Sequence, residues 1–500
     1  MKLRIVSPTK AEFVGSDQEL SELKADLTYT NTAAQHLVKR HYQSVYFKRQ
    51  NPDGWQQRLE ELQKDVKHTL VFQEGKNFYI RPGSIPTLGV SVENVDNLIN
   101  YPKPKAVAWH NKLPFALYDY QQDSVKKLIE EKHGNVELCT GAGKSAILLA
   151  LCRETGFRTA IIAPSKSIFE ELCEKFEHHF GKGMIGKFGN GKKVLGKRFT
   201  ICIADSIANI VRGSKEWEFF SSLEAFAADE SHTWGADSLD TICHGVLGAV
   251  PCRWFMSGTQ TRGDGAEKLL FSIIGRTVHT LSTKEAIEGG FIGNHDFTIV
   301  SLESSNPSFY SKDALEMKRM HFLGNKNIAA FAAKLANASA TTHRKQTLVL
   351  VEELSQIALL LPHLKVPIAI AHAEKKKERL EELGMVKSDP TAAVEAFNKG
   401  EAMVLIGTSC ISTGTNIFAN HNTVNWVGGS SEIKTKQGAV GRSVRKWSAN
   451  PWKDKIEPKE ICKIYDFDVW DIQTMKNHLQ HRISFYEDSG TPIKYIKLKK

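Results

Sequence analysis

Residues 135–154 read NVELCTGAGKSAILLALCRE. A short apolar run is followed by a turn of small residues, TGAGKS, and then by an apolar stretch of helical length. Gly141 and Gly143 let the backbone turn so that successive N–H groups face inward, and a helix N-terminus behind them adds its dipole. A loop of this kind, Thr140, Gly141, Ala142 and Gly143, cradles phosphate oxygens, with Lys144 reaching the outer phosphates and Ser145 available to Mg2+. Leu138 stands where the G-x-x-x-x-G-K-[ST] pattern has its first glycine. A tight turn with an exposed lysine is the competing reading; placement directly after a strand favours the phosphate.

Outward from this loop, short apolar runs alternate with helical segments. NVELC, TAIIAP, FTICIA, EAFAAD and RWFMSGT form one series. TIVSL, TLVLV, PIAIAHA, MVLIGTS, TVNWVGG and KIYDFDVW form a second, from about residue 298. Near-continuous apolar strands with helical crossovers imply parallel sheets covered on both faces. The expected fold is therefore α/β, with two tandem parallel-sheet domains over 110–297 and 298–470. Residues 1–105 mix short strands with polar helices and read as a small α+β accessory domain that binds nucleic acid. NYPKPKAVAW (100–109) is the expected linker. In the tail, 471–500, Met475, Leu479, Ile483 and Tyr486 share one helical face, which reads as packing.

Ligands of such sheets sit beyond the carboxyl ends of the strands. There EAFAAD runs into Glu230. Asp229 as a metal-holding carboxylate and Glu230 as the base that orients water form the pair phosphoryl transfer to water needs. In GAVGRSVRKW, Arg442 and Arg445 offer planar, permanently charged forks suited to a γ-phosphate. An exposed basic helix is the plainer alternative.

Composition bounds the rest. The chain has 500 residues, 41% hydrophobic and 24% charged, with Lys+Arg 66 against Asp+Glu 56, a net charge of +10. That balance fits a polyanionic partner. No apolar run has membrane-spanning length and no secretory h-region opens the chain, so a cytoplasmic protein without a membrane partner is expected. The eight cysteines (139, 152, 173, 202, 243, 252, 410 and 462) form no C-x-x-C pair and read as reduced thiols. GKGMIGKFGNGKKVLGKR (181–198) is rich in glycine and lysine; it reads equally as a phosphate-contacting segment or an exposed hairpin.

With these residues assembled, the chain resembles the superfamily 2 nucleic-acid helicases and translocases over about 110–470. LYDYQQDSV resembles their Q motif, which implies that Gln121 reads the adenine edge and Tyr118 stacks on the base. TGAGKS resembles motif I, and IIAPSKSI resembles motif Ia, with Pro164 and Ser165 near the nucleic-acid backbone. ADSIAN (204–209) is similar to the next contact motif. DESH resembles motif II of the DExH type, with His232 linking the nucleotide and nucleic-acid sides. SGT resembles motif III, where Ser257 and Thr259 couple hydrolysis to movement. TSCISTGTNI resembles motif V and adds Ser412, Thr413, Gly414 and Thr415 as backbone contacts, and GAVGRSVR resembles motif VI. Two departures stand out. Gln437 lies one place before the usual glutamine position, held by Gly438, and Arg262 in QTRGDG has altered spacing relative to branch-migrating relatives. Within the superfamily, GKNFYIRPGSIPTLG and the compact motor resemble the phage UvsW-type recombination helicases.

The resemblance implies two RecA-like motor domains, ATP and Mg2+ as cofactors, and work on branched DNA without sequence preference. It also implies recombination or single-strand-binding proteins as partners. A DExH RNA helicase, the translocase subunit of a restriction or defence system, and an ATP-binding clamp are the alternatives. Asp229, Glu230, Arg442 and Arg445 together weigh against the clamp, which needs no hydrolytic set.

Overall fold

The computed structural model describes residues 1–109, 113, 115–231, 236–258, 267–411, 416–430, 438 and 440–498. They form two compact units, one of Met1–Leu138 with Gly143–Thr280, the other of Leu281–Lys500 with the loop residues Cys139–Ala142.

The first unit opens with strands β1 (Lys2–Ser7), β2 (Lys10–Val14), β3 (Thr28–Thr30), β4 (Lys67–Thr69), β5 (Phe72–Glu74), β6 (Asn77–Ile80) and β7 (Val95–Asn97). Five of them form a sheet in the order β5-β6-β2-β1-β7, and β3 pairs with β4 apart from it. Ser16 and Glu19 close a capping box on the helix Asp17–Asp26, which buries Leu20 and Leu23 with Leu3, Ala11 and Ile80.

Next come β8 (His133–Leu138), β9 (Thr159–Ala163), β10 (Ile185–Gly189), β11 (Lys192–Val194), β12 (Phe199–Ile203), β13 (Ala225–Ala228), β14 (Cys252–Ser257) and β15 (Arg276–Leu281). Their order is β11-β10-β12-β9-β13-β14-β8-β15. β10, β12, β9, β13, β14 and β8 pair in parallel, each with the next. Every residue of β9, β13 and β14 is buried, as a sheet covered on both faces requires. The lysine-rich segment 181–198 contributes β10 and its antiparallel partner β11. Three of its lysines hold carboxylates: Lys187 with Glu177 at 2.7 Å, Lys192 with Glu170 at 3.0 Å, and Lys193 with Glu216.

The small sheet is bolted to the larger one. Arg253, buried in β14, donates from Nη1 to the Pro8 carbonyl at 2.8 Å and from Nη2 to the Cys243 carbonyl. Arg81 pairs with Asp240 at 2.7 Å, and Lys268 donates to the Asp26 carbonyl at 2.7 Å. At Gly83 any Cβ would collide with the Ser272 carbonyl, so the two surfaces approach to backbone distance.

Beside this seam His133 Nε2 donates to the Ile273 carbonyl at 2.8 Å, so the imidazole is held as the neutral Nε2–H donor. Burial, helped by the Arg253 charge, pushes its pKa down to about 3. A folded value below the unfolded one means stability that is present above about pH 6.5 and lost on acidification. At pH 5 the unfolded imidazole is largely protonated and the folded one is not, a cost of about 2 kcal/mol. Denaturant titrations at pH 7 and pH 5 should therefore show a difference that shrinks by about that amount in His133→Gln. An unchanged pH profile in the variant would remove this imidazole from the acid response.

The second unit is built on β16 (Asn294–Leu302), β17 (Gln346–Val351), β18 (Ile368–Ala371), β19 (Val404–Gly407), β20 (Asn420–Trp426), β21 (Ile461–Val469) and β22 (Ile493–Lys497). The order is β18-β19-β17-β20-β21-β16-β22, parallel throughout. Its core joins Val300, Val349, Ile406, Val424, Trp426 and Phe467 to Ile328 and Ala332 of the helix Lys326–His343.

The tail differs from the helical segment expected. The helix Gln473–Glu487 does bury Met475, Leu479, Ile483 and Tyr486, but the chain then turns and adds β22 beside β16. β20 differs too: NHNTVNW is buried throughout although five of its seven residues are polar. Each polar side chain finds a partner, as burial demands. Asn422 donates to Ser339 Oγ at 3.0 Å, and His421 Nδ1 accepts from the Gln346 N–H at 3.2 Å.

Candidate active site

The loop after β8 leads into the helix Lys144–Thr155, with Gly143 as its N-cap in the left-handed region at φ 79°. A Cβ there would lie 2.5 Å from Gln121 Nε2 as well as being strained. Gln121, itself buried, thus packs directly on the loop residue before Lys144. Its Oε1 accepts from the Tyr118 N–H at 3.1 Å, and its Nε2 donates to the Tyr120 hydroxyl at 3.3 Å. Tyr118 stacks on Tyr120 at 5.9 Å and is 43% exposed.

Two strands away in the same sheet, β13 ends at Ala228 and delivers Asp229 and Glu230. The Asp229 N–H donates to the Ile162 carbonyl of β9 at 3.0 Å, and its Oδ1 accepts from the Glu230 N–H at 3.0 Å. Glu230 adopts φ 47°, an uncommon conformation for a residue with a side chain, and one that clusters at functional sites. Its Oε1 lies 3.0 Å from Lys144 Nζ, so phosphate loop and acidic pair meet directly. Lys144 Nζ also donates to the Leu138 carbonyl at 3.4 Å.

Asp229 is enclosed, and burial together with the Glu230 carboxylate pushes its pKa up, to about 7, against the opposing pull of Lys144. In the opposite sense to His133, this group favours the fold in acid and loses that contribution as the pH rises through its folded value. A buried carboxylate beside a second one suits a site that receives a cation. The donor set, the Asp229 carboxylate and the Ser145 hydroxyl with a glycine cradle beside them, fits Mg2+ carried with a triphosphate, since Mg2+ favours few protein oxygens plus phosphates. Held by Asp229 and Ser145, the ion would supply charge that neutralises what develops on the phosphates.

Ser257 ends β14, in register with Glu137 of β8, and is buried. Sequence reading missed Lys175, on the helix Lys166–Phe180, whose Nζ donates to Ser145 Oγ at 3.3 Å. Nothing in the local pattern marks it, because the contact spans 30 residues. Ser165 caps that helix, its Oγ accepting from the Ile168 N–H at 3.4 Å, and Pro164 precedes it.

In the second unit the short helix Gly441–Ser443 carries Arg442, which is buried, and Arg445 follows it. The polar strand β20 holds this helix. Asn420 Nδ2 donates to the Arg442 carbonyl at 3.2 Å, and Ser443 Oγ donates to Thr423 Oγ1 at 2.9 Å. Lys459 Nζ completes the support by donating to Asn420 Oδ1 at 3.2 Å. Burial, with Arg445 adding repulsion, lowers the Lys459 pKa to about 8. Asn420, Thr423 and Lys459 were not singled out in the sequence. Lys144, Asp229 and Glu230 are thus set in the first unit and the two arginines in the second. His232, Thr259, Arg262, Ser412, Thr413, Gly414, Thr415 and Gln437 lie outside the described residues.

Residues 114–255 match the family model described as type III restriction enzyme, res subunit. The chain is 26% identical over 282 residues to the DNA 3′-5′ translocase XPB2 of Sulfurisphaera tokodaii, covering 55% of this chain and 60% of that one. A fragment of a putative HsdR subunit of a type I restriction enzyme from Vibrio vulnificus shares the fold. Its TM-score is 0.50 at 16% identity, over 76% of this chain and 68% of that one. The structure of phage T4 UvsW covers all of both chains at 14% identity and a TM-score of 0.42. The chain is thus similar, over residues 114–255, to the res subunits of type III restriction enzymes, and it spans about 60% of the length of the DNA translocase it matches.

Proposed function

We propose that the chain is an ATP-hydrolysing DNA translocase that acts on branched DNA. The observation that carries the hydrolytic part is the Lys144–Glu230 contact beside the enclosed Asp229. Lys144 binds the outer phosphates, Glu230 is released from it to orient the attacking water, and Asp229 with Ser145 holds Mg2+. Arg442 and Arg445 supply charge to the γ-phosphate, with Tyr118 and Gln121 on the adenine.

DNA as the track is supported by the net charge of +10 and by the likeness to a protein named as a DNA translocase. Branched DNA rests on the sequence resemblance to UvsW-type helicases. Branch migration replaces each broken pair with a new one, so ATP supplies direction more than melting energy, whereas plain unwinding works against about 1.4 kcal/mol per stacked step. Binding should be sequence-independent and fall steeply with salt.

The test is ATP-dependent processing of a synthetic four-way DNA junction beside a tailed DNA duplex and an RNA duplex. Resolution of the junction well ahead of both duplexes is the expected result. Opening of the RNA duplex alone would overturn the substrate assignment. The family-model description favours one further reading, a restriction-type translocase; it would move on unbranched duplex with no gain from a junction.

A further inference from the structure

From Leu27 to Pro52 the chain has no acidic residue, yet it carries Lys39, Arg40, Lys48 and Arg49 together with His36 and His41. This stretch forms β3 and then two helices, Thr32–Tyr42 and Val45–Gln50, the second of which buries no side chain. Tyr46 is 77% exposed, and Tyr42, Val45 and Phe47 are exposed beside it. So much apolar surface, ringed by cations, is not what a folding core needs, and it marks a contact surface.

The support behind it is firm. Trp55, buried on the helix Pro52–Lys64, stacks on His41 at 4.8 Å and meets the Tyr42 ring edge-on at 5.8 Å. Its Nε1 donates to Ser44 Oγ at 3.2 Å, and Lys48 Nζ lies 4.4 Å above its ring. The two helices are therefore pinned at their junction while the aromatic tips face outward.

We propose that this platform grips an unpaired DNA strand, with bases stacking on Tyr46 and its neighbours and phosphates lying on Lys39, Arg40, Lys48 and Arg49. The inference rests on the DNA-motor reading above and names where a branch point would be held. Aromatic faces interleaved with cations suit single strands, because every base has a π-face to offer. Bases inside a duplex are already stacked on one another, so duplex would meet only the cations. A second copy of this chain is the poorer occupant, since it would bring like charges together.

The full-length chain, without nucleotide, would be titrated against fluorescein-labelled oligo-dT and a blunt duplex, followed by anisotropy. Tyr46→Ala should weaken oligo-dT binding by about 5- to 100-fold and leave duplex binding unchanged, while Tyr46→Phe keeps wild-type affinity. Lys39→Glu with Arg40→Glu should weaken both and flatten the salt dependence. An affinity for oligo-dT within about twofold of wild type in Tyr46→Ala overturns the proposal, since stacking of one base is worth more than that. A variant that alters sedimentation but not DNA binding overturns it as well, in favour of self-association. If the wild type binds neither DNA, the DNA-motor reading falls with it; if it binds and Tyr46→Ala does not differ, only the platform is lost.

Discussion

Lys144→Ala should lower ATP hydrolysis by on the order of 10³-fold, measured as steady-state turnover in the presence of DNA. The side chain is 9% exposed, and its ammonium sits 3.0 Å from Glu230 Oε1. It therefore has two tasks: binding phosphate charge, and opposing the burial that pushes Asp229 toward its neutral form. Without it the burial and the Glu230 repulsion that already raise Asp229 are opposed less, so the metal-holding carboxyl moves further from its charged form. The fold should tolerate the change, because Asp229 can take up a proton and relieve the repulsion. Turnover within tenfold of wild type would show that this loop does not carry the outer phosphates.

The largest expected stability effect lies elsewhere, at Arg482. This guanidinium is 1% exposed and binds Asp466, equally buried, through Nε to Oδ2 at 2.7 Å and Nη2 to Oδ1 at 3.0 Å. Nη1 donates to the Gly429 carbonyl at 2.6 Å, and the Tyr486 hydroxyl donates to Asp466 Oδ2 at 2.7 Å. Asn425 Nδ2 reaches the same oxygen at 3.3 Å. Arg482→Ala strands a buried carboxylate, and a loss of about 3–5 kcal/mol in the second unit is expected from denaturant titration. Tyr486→Phe, which removes one hydroxyl, should cost far less, on the order of 1–2 kcal/mol. A paired change, Arg482→Met with Asp466→Asn, should recover much of the loss, because replacing both charges removes the desolvation problem. A loss below about 1 kcal/mol in Arg482→Ala would mean that water reaches Asp466 freely.

Why the sequence disclosed some of this and not the rest is a matter of range. AFAA is apolar at every position and TAIIA at all but Thr159, and such runs have few uses besides interior strands, so β9 and β13 were legible. The phosphate loop was legible because its chemistry is written in consecutive residues. β20 was only partly so: its asparagines and threonine look like a loop until their partners, the Arg442 carbonyl, Lys459 and Ser339, arrive from distant segments. Arg482 hid beside an apolar helical face. The available signal was in its partner, since Asp466 lies within the apolar run KIYDFDVW and a buried charge requires a counter-charge. Lys175 left no such mark, and neither did the short strand at the chain's end.

That strand has a practical consequence for handling the protein. β22 lies along β16, whose nine residues NHDFTIVSL are largely buried, and takes the outermost place in the sheet. Its own sequence, IKYIK, presents lysines where another chain would have to dock. Charged edges of this kind discourage sheets from joining one another. Removing β22 would leave the backbone groups of Phe297–Ser301 unmet along that edge, and solubility, rather than catalysis, would be the first property to suffer.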